Sequence, residues 1–331
     1  MKWGLSPIKN GEMNKIKFLF KLKLCAVSLG LFLSGNILAQ TDTLSFLHIT
    51  DTHIISDLAF YHPGIVEGRK HYGEGNEPLK HFLQTMPEKT NCDFVAITGD
   101  LIDFFEAQTG DGKMLGFQAE QFARLIDGSP VPVFATLGNH DIAAYSWPED
   151  KRESSQTMVE RARATWSKNL ECFKNGTYYS RLVEVDGKKY RLIFLDNGYN
   201  SFLPEEDIVT PYIDKPQLHW LEDQIQQSED DTEIIFMHIP VVPANREDEP
   251  ACELYSVLAK YMSPRMILAG HNHKNAIRDF SSVENMKITQ VQTGAFGRSV
   301  ENWRLISLTN NKILVSYPGN KDTEIEISID E

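Results

Sequence analysis

The sequence predicts an α/β (α+β) fold, a mixed-sheet sandwich covered by helices. Three observations carry that expectation. Five apolar runs end abruptly in polar residues, as buried strands do at the ligand-bearing carboxyl edge of a sheet. They are Phe46–Thr50 before Asp51-Thr52-His53, Phe94–Thr98 before Gly99-Asp100, Val133–Leu137 before Gly138-Asn139-His140-Asp141, Ile234–Met237 before His238, and Met266–Ala269 before Gly270-His271-Asn272-His273. Segments with helical spacing of apolar residues lie between several of these runs. Hairpin signals then become prominent later in the chain, which favours mixed over purely parallel sheets.

The first strand, Leu44 to Ile49, delivers Asp51 and His53. A Gly- and His-rich stretch from Tyr61 to Asn76 reads as a long loop, and loops of that length in compact domains are functional or disordered. A helix beginning near Pro78 carries Leu79, Phe82 and Leu83 on one face. The strand ending at Gly99-Asp100 continues as Leu101-Ile102-Asp103, and a helix over Phe117–Leu125 stops at Gly128. Within Glu149–Leu170 the second half is helical, with Met158, Ala162 and Trp166 four residues apart. Asp186-Gly187 between Thr177–Val185 and Tyr190–Leu195 is a hairpin signal. Asp214 caps a helix over Pro216–Gln227, followed by a strand at Glu233–Met237, a helix at Glu253–Tyr261 and the strand ending at Ala269. The remainder is β-rich, with runs at Ile288–Thr293, Trp303–Leu308 and Ile313–Tyr317. No repeat or linker interrupts residues 40–331, which read as one domain.

Residues 1–39 stand apart. Lys15, Lys17, Lys21 and Lys23 precede an apolar stretch, Leu24 to Leu33, and Ile37-Leu38-Ala39 offers a cleavage site. This order predicts a cleaved signal peptide and an exported, periplasmic or secreted protein. The apolar part is too short for an ordinary membrane span. Without its six lysines and Glu12, 27 basic and 45 acidic side chains remain, a formal charge of −18. Such an acidic chain without a Lys/Arg tract is a poor partner for long nucleic acid, whose binding depends on phosphate neutralisation. Cys92, Cys172 and Cys252 lack paired spacing and argue against a disulfide framework or zinc finger, although one pair has the option of bridging.

The five strand ends would gather Asp51, His53, Asp100, Asn139, His238, His271 and His273 on one spot. Oxygen and imidazole donors without thiolate suit Mn, Fe or Zn in a catalytic role. Seven donors exceed one tetrahedral ion but fit two ions sharing a carboxylate. Two such ions roughly 3.5–4 Å apart clamp the attacking and leaving oxygens of a phosphoryl displacement.

Asp51-x-His53, Gly99-Asp100-x-x-Asp103, Gly138-Asn139-His140-Asp141, His238 and Gly270-His271-x-His273, in this order, resemble the calcineurin-like metallophosphoesterase family over Ser45–His273. Within it, the pattern is most similar to the class III cyclic-nucleotide phosphodiesterases. Leu195-Asp196-Asn197 and Gln217–Glu222 add a weaker likeness. The resemblance implies a four-layer αββα sandwich, two mixed β-sheets flanked by helices with a dinuclear metal site at the strand ends. It implies two metal ions per chain, the first held by Asp51, His53 and His273, the second by Asn139, His238 and His271, with Asp100 bridging. It also implies that His140 protonates the leaving oxygen or stabilises the phosphoryl group, and that Asp103 orients His140. The purple acid phosphatase branch has a tyrosine where Asp103 stands and lacks the histidine of Asp51-x-His53, so this chain departs from it twice. Asp141 either tunes His140 or caps the next turn. His62, Arg69, Lys70 and His71 line the mouth of the site or form a solvated loop face, the second being the simpler expectation.

The function expected is hydrolysis of a small phosphodiester, such as a cyclic nucleotide, with a phosphomonoester as the alternative on the same site. A phospholipid-head-group hydrolase would need an exposed apolar rim, for which Ala59-Phe60-Tyr61 and Phe104-Phe105 are candidates. A non-catalytic binding protein on the scaffold would show degraded metal ligands.

Overall fold

A computed structural model describes residues 42–73, 75–198, 212–228, 230–242, 252–280 and 287–329. The expected signal peptide lies outside the described residues. In chain order the first elements are β1 (Leu44–Ile49), α1 (Pro63–Arg69), α2 (Asn76–Thr90), β2 (Phe94–Thr98), β3 (Glu106–Gln108), β4 (Met114–Leu115), α3 (Gln118–Ile126) and β5 (Val133–Thr136). Next come β6 (Ala144–Ser146), β7 (Glu153–Ser155), α4 (Val159–Asn169), β8 (Tyr179–Val185), β9 (Lys188–Phe194) and α5 (Lys215–Gln226). The remainder comprises β10 (Thr232–Phe236), α6 (Glu253–Leu258), β11 (Pro264–Ala269), β12 (Ala276–Asp279), β13 (Thr289–Gln292), β14 (Arg304–Leu308), β15 (Lys312–Ser316) and β16 (Thr323–Ser328).

The strands form two mixed six-stranded sheets, ordered β16-β15-β14-β1-β2-β5 and β12-β13-β11-β10-β9-β8, and a small sheet β4-β3-β6-β7. The period-2 pattern of each buried strand sets the layers. Phe46, Phe94, Ile234, Phe236, Met266 and Leu268 point between the two large sheets. Their neighbours in sequence point outward. Leu47, Ile49, Val95 and Ile97 pack on Leu79, Phe82, Phe122 and Trp166 of α2, α3 and α4. Ile235, Met237 and Ile267 pack on Leu218, Leu221 and Leu254 of α5 and α6. Helices therefore cover both outer faces, the αββα order.

Parallel pairing positions the site. β1, β2 and β5 run parallel to one another, as do β9, β10 and β11. Within each block the carboxyl ends share an edge, so residues far apart in sequence meet there. At the opposite end, Asp186 and Gly187 take positive φ values of 46° and 81°, the two-residue turn that the Asp-Gly signal predicts between β8 and β9. The Asp214 carboxylate accepts a hydrogen bond from the Gln217 amide at 2.9 Å, capping α5 as expected.

The Tyr61–Asn76 stretch departs from the expected loop. His62 caps α1 by accepting from the Gly64 amide through Nδ1 at 3.1 Å, Pro63 opens the helix, and a short 3₁₀ turn, Lys70–Tyr72, follows. Two glycines within seven residues hid this helix from a periodicity argument. Packing supplies what propensity lacks: a Cβ on Gly64 would lie 2.1 Å from the Trp147 ring, so only glycine lets α1 seat there. The small sheet, β12 and β16 are likewise additions. Runs of two to four residues carry little alternation to read, and the longer β16 has only two apolar residues, Ile325 and Ile327, among four acidic or hydroxyl side chains.

The stacked rings between the sheets carry much of the core. Phe236 lies 4.3 Å from Phe194 and 5.6 Å from Phe46, which in turn stacks on Phe94 at 4.6 Å. Phe236→Ala should destabilise the protein by about 3–5 kcal/mol. Chemical denaturation read by tryptophan fluorescence measures this, and a change below about 1 kcal/mol would mean that the inter-sheet stack does not hold the layers together.

Candidate metal centre

All seven proposed ligands arrive at one place. Asp51, His53, Asp100 and His273 form one group, and Asp100, His238 and His271 a second, with the ligand atoms of each group within 4.8 Å of one another. Asn139 Oδ1 joins the second group, 3.2 Å from His238 Nε2 and 3.1 Å from His271 Nδ1. Asp100 belongs to both.

The backbone makes this convergence by turning sharply at the strand ends. Asp51, His53, Asp100, His271 and His273 all have φ between 46° and 69°. That left-handed region is uncommon outside glycine but most tolerated by Asp, Asn and His. Close chain approach completes the turns. A Cβ on Gly270 would lie 1.9 Å from Thr50 Oγ1 and 2.4 Å from Asp51 Oδ2, and one on Gly138 would lie 2.3 Å from the Asp100 amide.

Each carboxylate is held by one oxygen and offers the other. Asp51 Oδ2 accepts from the His271 amide at 3.0 Å and from Thr50 Oγ1 at 2.8 Å. Asp51 Oδ1 is buried and has no hydrogen-bond partner. Asp100 Oδ1 accepts from the His140 amide at 2.9 Å, leaving Oδ2 facing His238 Nε2 at 3.1 Å. The imidazoles are arranged in the same way. His53 Nδ1 donates to Asp103 Oδ1 at 3.0 Å, and His238 Nδ1 donates to the Thr98 carbonyl at 2.9 Å. Their Nε2 atoms then face inward, 3.2 Å from His273 Nε2 and 3.3 Å from His271 Nδ1 respectively.

This arrangement fits metal ions. An orphaned buried carboxylate oxygen and two pairs of facing ring nitrogens need positive charge between them. Protons supply part of it without a metal. Burial alone would lower the His238 pKa, but the charge of Asp100 outweighs it and pushes the group up to about 9. Burial would raise Asp100, yet the His238 and His140 rings hold it well below the usual carboxylate range. Nitrogen and carboxylate oxygen donors with outer hydrogen bonds to carbonyl and carboxylate are the donor set of catalytic Zn, Mn or Fe sites.

His140 sits beside the ligands with its side chain one-fifth exposed. Its Nε2 is 4.0 Å from Asp100 Oδ2. Its Nδ1 is 2.7 Å from the Asp103 carbonyl oxygen, to which it donates, and 2.9 Å from Tyr145 Oη. Sequence reasoning assigns the Asp103 carboxylate to His140. In the structure that carboxylate is taken by His53 and by Arg69, whose Nε donates to Oδ2 at 2.7 Å and whose Nη2 donates to Oδ1. Asp103 Oδ1 stays 3.7 Å from His140 Nδ1. Asp141 is a staple: its carboxylate accepts from the Ile102 amide at 3.0 Å and the Gly138 amide at 2.7 Å.

Among the mouth residues, Arg69 reaches inside, while Lys70 and His71 stay exposed. Asn197 is a further contributor: its Oδ1 accepts from the His238 and Ile239 amides at 3.0 and 3.1 Å, fixing the turn that carries His238. Its position after the apolar run Leu192–Leu195 was the available signal. Tyr145 had none, because it lies on a three-residue strand. The three described cysteines, Cys92, Cys172 and Cys252, are free.

The calcineurin-like phosphoesterase profile matches residues 44–275, which span both ligand groups. The chain belongs to the calcineurin-like phosphoesterase family. Among curated proteins it is 26% identical to a cAMP/cGMP dual specificity phosphodiesterase of Mycobacterium tuberculosis, over 72% of this chain and 64% of that protein. It is 20% identical to a probable cyclic nucleotide phosphodiesterase of Psychrobacter arcticus, over 72% of this chain and 81% of that protein. Among solved structures, a dimetal phosphatase from Danio rerio superposes with a TM-score of 0.56 at 15% identity, covering 86% of this chain and 99% of that one. A purple acid phosphatase from yellow lupin seeds superposes with a TM-score of 0.53 at 14% identity, covering 87% and 54%. At these identities the two structures speak for the shared fold alone.

Because Asp100 belongs to both groups of this family site, Asp100→Asn should empty both, whereas Asn139→Ala should lose chiefly the second ion. Metal content measured on the two purified variants checks this, and a variant Asp100→Asn that retains more metal than Asn139→Ala would remove the bridging role.

Proposed function

We propose that the protein is an exported metal-dependent phosphodiesterase acting on a small diester such as a cyclic nucleotide. The observation that carries this reading is the pair of ligand groups sharing Asp100, with the His140 imidazole beside them. The first ion would be held by Asp51, His53, Asp100 and His273, and the second by Asp100, Asn139, His238 and His271. When bound, two such ions polarise a phosphoryl group and lower the pKa of water toward neutrality.

The chain's own residues do the rest. The Asp103 carbonyl fixes the His140 ring by accepting from Nδ1. Nε2 then lies on the Asp100 side, 4.0 Å from its Oδ2, where it would donate a proton to the departing oxygen of a phosphoester held by the ions. Burial lowers the His140 pKa, so the protonated ring is a stronger acid while a smaller share of it carries the second proton at neutral pH. Both curated relatives bear names of cyclic-nucleotide phosphodiesterases, which supports a diester over a monoester. The rim needed for a lipid substrate is weakened, since Phe104 and Phe105 are buried and Phe60 alone of the two stretches is a strongly exposed large apolar residue, at 59%. The basic–apolar–Ala39 order of residues 1–39 supports export. No helix among the described residues is long and apolar enough to cross a membrane.

Turnover of an aryl phosphodiester should exceed that of the matching monoester after loading with Mn, Zn or Fe, and the reverse order would favour the phosphomonoesterase reading. In His140→Ala, esters with an alkoxide or ribose leaving group should lose about 10²–10⁴-fold in rate, and nitrophenyl esters much less. Equal losses across a leaving-group series would mean that His140 stabilises the phosphoryl oxygens instead.

The export proposal has its own check. Mature protein should begin near Gln40 and be recovered outside the cytoplasm, and deletion of residues 1–39 should leave metal content unchanged. Uncleaved protein in the cytosol would contradict it.

A further inference from the structure

Arg69 lies outside every motif of the metal site, at the end of α1, yet it bonds Asp103, the outer partner of the ligand His53. Its guanidinium takes both oxygens of Asp103, Nε to Oδ2 at 2.7 Å and Nη2 to Oδ1. Asp103 is fully buried, and its Oδ1 also accepts from Nδ1 of His53, a ligand of the first ion. The Tyr72 ring fills the space between. It lies 4.4 Å from the His53 ring in a stack, with the Arg69 guanidinium 4.9 Å from its centroid.

We propose that Arg69 is a positioning residue for the first metal ion, acting through Asp103 and His53. The reasoning is geometric. A buried carboxylate with one hydrogen bond to an imidazole is free to rotate about its Cβ–Cγ bond, or to swing toward a neighbouring cation. Two parallel N–H donors in the plane of the guanidinium remove that freedom. Asp103 is thereby kept as an outer partner that holds the His53 ring, with Nε2 aimed at the ion, instead of becoming a ligand itself. The fork also supplies the positive charge that Asp103 needs beside Asp51 and Asp100. Arg69 is aimed from outside by the rest of α1. The His62 amide donates to the Gln108 carbonyl at 2.8 Å, anchoring the helix to β3, and Gly64 seats it on Trp147. Among the described residues, the second ion's ligand His238 is held instead by the Thr98 carbonyl and Asn197.

The inference rests on the two-ion reading above, and its test needs no substrate. Mn²⁺ is titrated into two full-length backgrounds, Asn139→Ala, which retains the first ion's ligands, and His273→Ala, which retains the second ion's. Free Mn²⁺ is followed by electron paramagnetic resonance. Adding Arg69→Ala should weaken the first ion about 10–100-fold, the usual size of an outer-partner effect. It should leave the second ion within about twofold. Methylguanidinium should restore binding to Arg69→Ala, and Arg69→Lys, with a charge but no fork, should recover only part of it. Equal weakening of both ions with no rescue would make Arg69 a general support for the fold, and an unchanged first ion would overturn the proposal. If these affinities behave as stated while no phosphoester is hydrolysed, the proposed function fails and the positioning role stands.

Discussion

Three buried carboxylates, those of Asp51, Asp100 and Asp103, stand at one edge of the molecule, and their mutual repulsion is the constraint that the rest of the site answers. Buried charges of one sign are tolerated only with cations or hydrogen bonds between them. Each carboxylate here has a different answer. Asp51 takes a backbone amide and a hydroxyl on one oxygen and turns the other toward His273 Nε2, 3.2 Å away. Asp100 takes the His140 amide and faces His238. Asp103 is answered by an arginine and an imidazole. The division separates oxygens meant for an ion from those that are not.

The same constraint explains why Asp141, one residue from His140 and equally buried, is not a fourth competitor. Both of its oxygens are consumed by amides, and burial beside Asp100 pushes its pKa well above the carboxylate range. A short motif thus contains one proposed ligand, one proposed proton donor and one structural staple. Residue type alone did not separate them. Partner geometry does.

Most of the frame was legible because it depends on patterns the chain displays locally. Strands such as Phe94–Thr98 and Met266–Ala269 are apolar, short and punctuated by Gly, and the turns after them hold the ligands. The parts that escaped depend on distant partners. α1 is stabilised by Trp147, some eighty residues on. The small sheet joins β3 to β6, whose paired residues Glu106 and Ala144 are also far apart in sequence. Arg69 looked like one of several basic residues on a loop, and only its bond to Asp103 distinguishes it from the exposed Lys70 and His71. Asp103 does meet His140 as the resemblance implies, but through its carbonyl oxygen, while its carboxylate serves His53 and Arg69, a distinction that sequence order cannot make.

The left-handed backbone at Asp51, His53, Asp100, His271 and His273 bears on the order in which this molecule comes together. Each such conformation is disfavoured by about 1–3 kcal/mol unless its surroundings enforce it. The enforcement comes from neighbouring strands: the Asp51 amide donates to the Gly99 carbonyl and the His53 amide to the Asp100 carbonyl, while the Gly270 amide donates to the His238 carbonyl. An unregistered chain lacks those partners and has no reason to adopt the turns. The coordination pockets therefore come into being with the pairing of β1 to β2 and of β10 to β11, and an ion arriving earlier meets scattered side chains instead of a site.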